Sequence, residues 1–125
     1  MKTEVLKKII KARIEGADTI LSSRVSYIDS EPRGYPYATF EFDEYPETSH
    51  RIPVRLEVNV IDYGVNSQSV DELADKVQTA FDNYNYIDDD IQFISYKGSR
   101  NIIREEDKKI IRRRLLFELS LYERR

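Results

Sequence analysis

Apolar and polar residues alternate through RIPVRLEVNVIDYG, residues 51–64, and the period then changes to helical spacing in SVDELADKVQTAF, residues 69–81. Ile52, Val54, Leu56, Val58 and Val60 fall on one side of the first segment, with Arg55, Glu57 and Asn59 on the other, which predicts a strand with one face on a core. Gly64 and Asn66 end it. Ser69 with Glu72 three residues later has capping-box spacing, so a helix is predicted to start there. Val70, Leu73, Ala74, Val77, Ala80 and Phe81 give that helix one apolar stripe. Residues 3–15 carry a second such stripe, Val5, Leu6, Ile9, Ile10 and Ile14, with Gly16 placed to stop the helix.

Between these segments, residues 20–28 predict a turn and a short strand around Val25 and Tyr27. EPRGYP sets Pro32, Gly34 and Pro36 in a loop, after which Ala38, Phe40 and Phe42 share a face opposite Tyr37, Thr39 and Glu41. This segment and the strand from about Arg51 predict an antiparallel hairpin. NYNYIDDD reads as a polar turn, and IQFISYKGSRNIIR with KKIIRRRLLFELSLYE reads as a second long hairpin about the charged turn EEDK. The last segment could set Ile111, Leu115, Leu119 and Tyr122 on a helical stripe. Alternation fits it better, because Ile111, Leu115, Phe117, Leu119 and Leu121 share one parity, interrupted only by Arg113 near the expected solvent-exposed start. The predicted fold class is α+β: one domain over residues 1–125, a mainly antiparallel mixed sheet with two helices on one face, in the order helix, hairpin, helix, hairpin.

A chain of 125 residues suits one core. It has no cysteine, which excludes disulfides and thiolate metal sites and suits a reducing compartment. No apolar run approaches the ~20 residues that span a bilayer, and KTEVLKKIIKARIEG reads as a charged amphipathic helix, so a soluble protein with no membrane partner is expected. The net charge of −3 is unevenly spread: residues 29–95 hold 15 acidic and 4 basic side chains, residues 96–125 hold 5 acidic and 10 basic. Either the segments neutralise each other within one molecule, or unlike faces attract neighbouring copies.

Candidate chemistry is sparse. His50 beside Ser49, near Asp43, lacks the framing of a nucleophilic triad. Asp88, Asp89 and Asp90 lack the alternate spacing, central glycine and distal glutamate of an EF-hand, and read as a solvated acidic turn. No cofactor and no enzymatic activity is expected. Tyr96 with Lys97, Arg100 and Arg104 would suit single-stranded nucleic acid, but no recognition motif accompanies them and the acidic middle segment repels phosphate.

The succession of an amphipathic helix, a Pro and Gly loop, YPYATFEF, LEVNVIDYG leading to DELADKVQTAF, and a terminal RRRLLFELSLYE resembles the tail terminator (tail completion) proteins of long-tailed bacteriophages. Head-closure or adaptor proteins from the head side of the same joint share much of this texture. The resemblance implies a structural virion protein of the tail or neck, assembled in the host cytoplasm into a homo-oligomeric ring, usually of six. Such a ring stops growth of the tail tube protein and offers the surface for a head-completion protein. DNA is then only the passing genome. Cyclic assembly joins two unlike surfaces of one subunit, and charge segregation suggests candidates. Arg104, Arg112 and Arg114 are expected to meet Asp88, Asp89 and Asp90, either of a neighbour or of the same molecule.

Overall fold

A computed structural model describes residues 3–28, 34–64 and 66–123. The predicted α+β class holds. The elements are α1 (Thr3–Glu15), β1 (Val25–Tyr27), β2 (Tyr37–Glu44), β3 (Ile52–Tyr63), α2 (Gln68–Phe81), β4 (Tyr84–Ile87), β5 (Ile91–Ser95), β6 (Ser99–Arg104) and β7 (Ile110–Glu123). They form one sheet in the order β1-β2-β3-β7-β5-β4, with β6 also paired to β7. Among the described residues only β1 and β2 run parallel, and every other strand pairing is antiparallel. Thr19–Leu21 adds a single 3-10 turn before β1.

The alternation read from the sequence sets the register. Phe40 of β2, Val58 of β3 and Leu115 of β7 lie side by side, as do Phe42, Leu56 and Phe117. All six are buried on the face that receives both helices, through Leu6, Ile10 and Ile14 of α1 and Val70, Leu73, Ala74, Val77 and Phe81 of α2. The terminal segment is strand throughout, as its parity required.

Four expectations are corrected. The Ser69–Glu72 capping box does not form, because α2 begins at Gln68: the Asn66 carboxamide oxygen takes the Gln68 N–H at 3.2 Å, and Glu72 takes the Gln68 side-chain amide at 3.3 Å. NYNYIDDD is not all turn. Tyr84 and Tyr86 make β4 a strand by stacking on the core, Tyr86 lying 5.3 Å from Phe93 at an interplanar angle of 18° and Tyr84 lying edge-on to Phe93 at 5.8 Å. Ring burial there outweighs a polar, turn-prone composition.

The third correction concerns Arg113, expected near solvent. It is 8% exposed, on the helix face, and its Nε donates to Asp71 Oδ1 of α2 at 2.7 Å. The interruption in the apolar parity is thus a buried cation with a dedicated acceptor. Burial raises the Asp71 pKa, but hydrogen bonds from Arg113 and Ser67 and the guanidinium charge outweigh it, so the carboxyl titrates below the ordinary 3.8.

Fourth, the second hairpin forms, but its first arm is not continuous. Ser95 lies opposite Leu119 and Ser99 opposite Leu116, so four steps on one strand face three on β7 and one residue is extra. This is a β-bulge. The Tyr96 N–H still reaches the Glu118 carbonyl at 3.0 Å, and the Gly98 N–H donates to Asp82 Oδ1 at 2.8 Å. Gly98 lies so near Phe117 that a Cβ would stand 2.5 Å from its ring, which only glycine avoids. The bulge also reverses parity, and Arg100, Ile102 and Arg104 of β6 therefore fall on the helix face.

The loop predicted around Pro32 lies outside the described residues. Where the chain re-emerges, Gly34 has φ +136°, in the region that favours glycine, and a cis peptide joins Tyr35 to Pro36.

Gly98→Ala is expected to lower unfolding free energy by about 1–3 kcal/mol through overpacking against Phe117, read from the urea midpoint. Asp71→Ala, which strands the Arg113 guanidinium, is expected to cost about 2 kcal/mol in the same assay. Because the Asp71 pKa is lowered on folding, its contribution is complete above the ordinary carboxylate pKa and is lost as pH falls below it. Asp71→Asn should therefore lose less stability than the parent between neutral pH and about pH 3.

Candidate interaction surfaces

Two ends of β7 carry the residues singled out in the sequence. At its start, Arg112 and Arg114 point to the face away from the helices, in register with Ile61 and Asn59 of β3 and with Ile103 and Asn101 of β6. Arg112 Nε lies 3.0 Å from Glu105 Oε1, an ion pair whose approach falls off the N–H direction and makes no hydrogen bond. Arg114 Nε is buried with no acceptor. Arg104, by contrast, closes β6 opposite Ile111, on the helix side, and is exposed. The bulge at Gly98 thus separates Arg104 from the other two arginines, so the three do not share a face.

Asp88, Asp89 and Asp90 form the β4–β5 turn at the other end. Asp88 is committed to building that turn: Oδ1 accepts the Asp90 and Ile91 N–H groups at 2.7 and 2.9 Å, and Oδ2 accepts the Tyr86 hydroxyl at 2.6 Å. Asp89 and Asp90 are exposed. The hydrogen bond to Asp88, with burial and the carboxylate charge, pushes the Tyr86 phenol up to about 12. Ile91, which follows the turn, pairs with Glu123 at the end of β7. From Arg112 to Glu123 the strand runs roughly 35 Å at about 3.3 Å per residue. Within one molecule the acidic turn and the arginine pole therefore do not meet, which removes the intramolecular option.

Sequence reading missed the apolar part of each pole. Ile102 (65% exposed) and Ile87 (57%) are the most exposed large hydrophobics among the described residues, Ile102 on β6 and Ile87 at the entry to the acidic turn. A tyrosine cluster adjoins Arg112: Tyr35 lies 5.4 Å from Tyr37 and 5.6 Å from Tyr63 between ring centroids. Burial and the neighbouring Tyr35 raise the Tyr37 pKa, against the opposing charge of Arg112. The signal for these residues was weak, since lone isoleucines at strand ends look like ordinary core.

The other sequence candidates resolve locally. Arg100 is taken up by α2, donating to Asp75 Oδ1 at 2.6 Å and Gln78 Oε1 at 2.8 Å, so the run Tyr96, Lys97, Arg100, Arg104 does not form one basic strip. His50 sits at φ +66° in the exposed turn between β2 and β3. Among the described residues no group of three or more His, Cys, Asp or Glu side chains is placed to hold a metal, and no helix is long and apolar enough to cross a membrane.

No protein-family model and no curated protein matches the chain. Among solved structures, the fold is similar to a chain of the virion of a native gene transfer agent particle, with a TM-score of 0.64 and 13% identity over 90% of this chain and 93% of that one. At that identity the likeness is one of fold, and it spans nearly both chains.

One tyrosine is expected to titrate near 12 in an ultraviolet titration of phenolate absorbance. Asp88→Asn should bring it down towards the ordinary 10, because an amide adds no charge against the phenolate.

Proposed function

We propose that the chain is a structural subunit of a phage-like virion and, within it, the tail terminator: a ring on the last layer of the tail tube that stops tube growth and offers the surface for head joining. The observation that carries the reading is the separation of unlike poles along β7. Arginines gather where β7 begins, and the aspartate turn lies where it ends. Complementary surfaces at opposite ends of one strand can be joined to each other only between copies, which gives the head-to-tail contact from which rings close. The likeness of fold to a chain from a gene transfer agent virion supports the same setting.

In this reading the start of β7, with Arg104 on its helix side and Arg112 and Arg114 on the other, is the pole that receives the turn of Asp88, Asp89 and Asp90 of the next subunit. Arg112 acts partly through its pair with Glu105 and Asp88 mainly shapes the turn, so Arg104, Arg114 and the exposed Asp89 take the leading part in the contact. Nothing in the role calls for a cofactor or a reaction. The further partners are the tail tube protein and a head-completion protein, with DNA passing through the ring. Residence in the tail or neck of the virion follows from the same reading.

Electron microscopy of the protein mixed with tail tubes tests it. Rings are expected at tube ends, whereas rings bound only to filled heads would favour a head-closure role. Reversing charge at Arg104 and Arg114 together, which leaves the Arg112–Glu105 pair intact, should reduce tube capping by about tenfold or more while circular dichroism stays unchanged. Unaltered capping by that variant would refute the charged contact.

A further inference from the structure

We propose that the contact between copies has an apolar centre: Ile87 of one subunit, carried into place by the aspartate turn, seats in the groove at the β6–β7 hairpin of the next. This rests on the ring-subunit reading and adds the residues that would make the joint specific.

The groove has a volume of about 470 Å³ and lies between the end of β6 and the start of β7. Ile102, Ile103, Ile110 and Ile111 line it, and Arg104 and Lys108 stand at its border. Among the described residues, neither cation has an ion-pair partner within its own chain. Glu105, the one carboxylate in the lining, is held by Arg112 at 3.0 Å. The site is thus an apolar slot under net positive charge.

Its complement is on the same chain. Ile87 closes β4 with 57% of its surface exposed, and Asp89 follows two residues later. Ile102 precedes Arg104 by the same interval. Each exposed isoleucine therefore has a charged residue two positions on in the sequence, and the two charges are opposite in sign. Two basic hairpins repel one another, as do two acidic turns, so pairing of unlike poles is favoured over either like pair. The length of β7 keeps the two isoleucines of one molecule apart, so the occupant of the groove is a second copy. Aliphatic knobs desolvated beneath a charged rim are the usual anatomy of a specific interface.

The absence of cysteine from the chain permits a direct test. Ile87→Cys and Ile102→Cys variants, both at exposed positions, are oxidised singly and as an equal mixture, as free protein at high concentration and as protein added to tail tubes. A disulfide between unlike variants is expected in the mixture at about tenfold or more the yield of either variant alone, and the double variant should give a ladder of covalent multimers. Adding Asp89→Lys to the Ile87→Cys partner should abolish the excess, and Arg104→Glu with Lys108→Glu on the other partner should restore it. A mixture that yields no more disulfide than the single variants, with or without tubes, overturns the proposal. Rings at tube ends without the disulfide would reject this contact and keep the tail reading. A disulfide ladder from protein that never caps tubes would uphold the contact and reject the tail role.

Discussion

β7 is the constraint on which the rest of the fold depends. Its partner β3 accompanies it from Ile52 opposite Leu121 to Tyr63 opposite Ile110, while its other edge is shared, β5 taking the second half and β6 the first. The shared edge exists because the chain gains one residue at Tyr96–Gly98 and crosses Phe117 at a point where no side chain fits. Because residues 52–63 pair with residues 110–121, the centre of the sheet is a contact remote in sequence, and its formation waits on the last part of the chain.

A long strand with helices on one face must keep its polar groups satisfied where they are buried. Arg113 does so through Asp71, and the bond ties the first turn of α2 to the centre of the sheet. Asp71 also stands where the helix dipole favours an anion, so one carboxylate serves both the helix and the buried guanidinium. On the opposite face, Asn59 (7% exposed) and Ser120 (1%) are buried without a covering layer. Arg51 donates to the Ser120 hydroxyl at 3.0 Å, and Asn59 donates to Glu57 at 3.0 Å while lying in register between Thr39 and Arg114. Long charged side chains thus close over that face and supply its hydrogen bonds at the same time.

What the sequence reveals follows from which forces are local. The periods of β2, β3, β7, α1 and α2 are visible because each element buries one face on the same core. Phe40, Val58 and Leu115 each announce a core-facing position by parity, while the row they share is set by the pairing of β3 with β2 and β7. Residues that depend on remote partners are not legible in this way. Arg113 reads as exposed until Asp71 is placed over it, Tyr84 and Tyr86 read as turn until Phe93 offers a ring to stack on, and the bulge at Gly98 leaves no trace in the alternation although it decides the face of Arg104. The charged ends of the candidate surface were visible as a run of arginines and a run of aspartates. Their apolar centres were not, because Ile87 and Ile102 differ from core isoleucines only in what the fold leaves uncovered.

The bonding within the β4–β5 turn bears on the thermodynamics of the proposed association between copies. Asp88 fixes two backbone amides and the Tyr86 phenol, and Tyr86 is itself clamped on Phe93. A loop already frozen in shape surrenders little conformational entropy when a neighbour captures it, so a small area can hold more firmly than its size suggests. Rigidity at this corner would also pass orientation from one molecule to the next, letting the angle between successive molecules be set by covalent geometry and side-chain packing instead of by a flexible hinge.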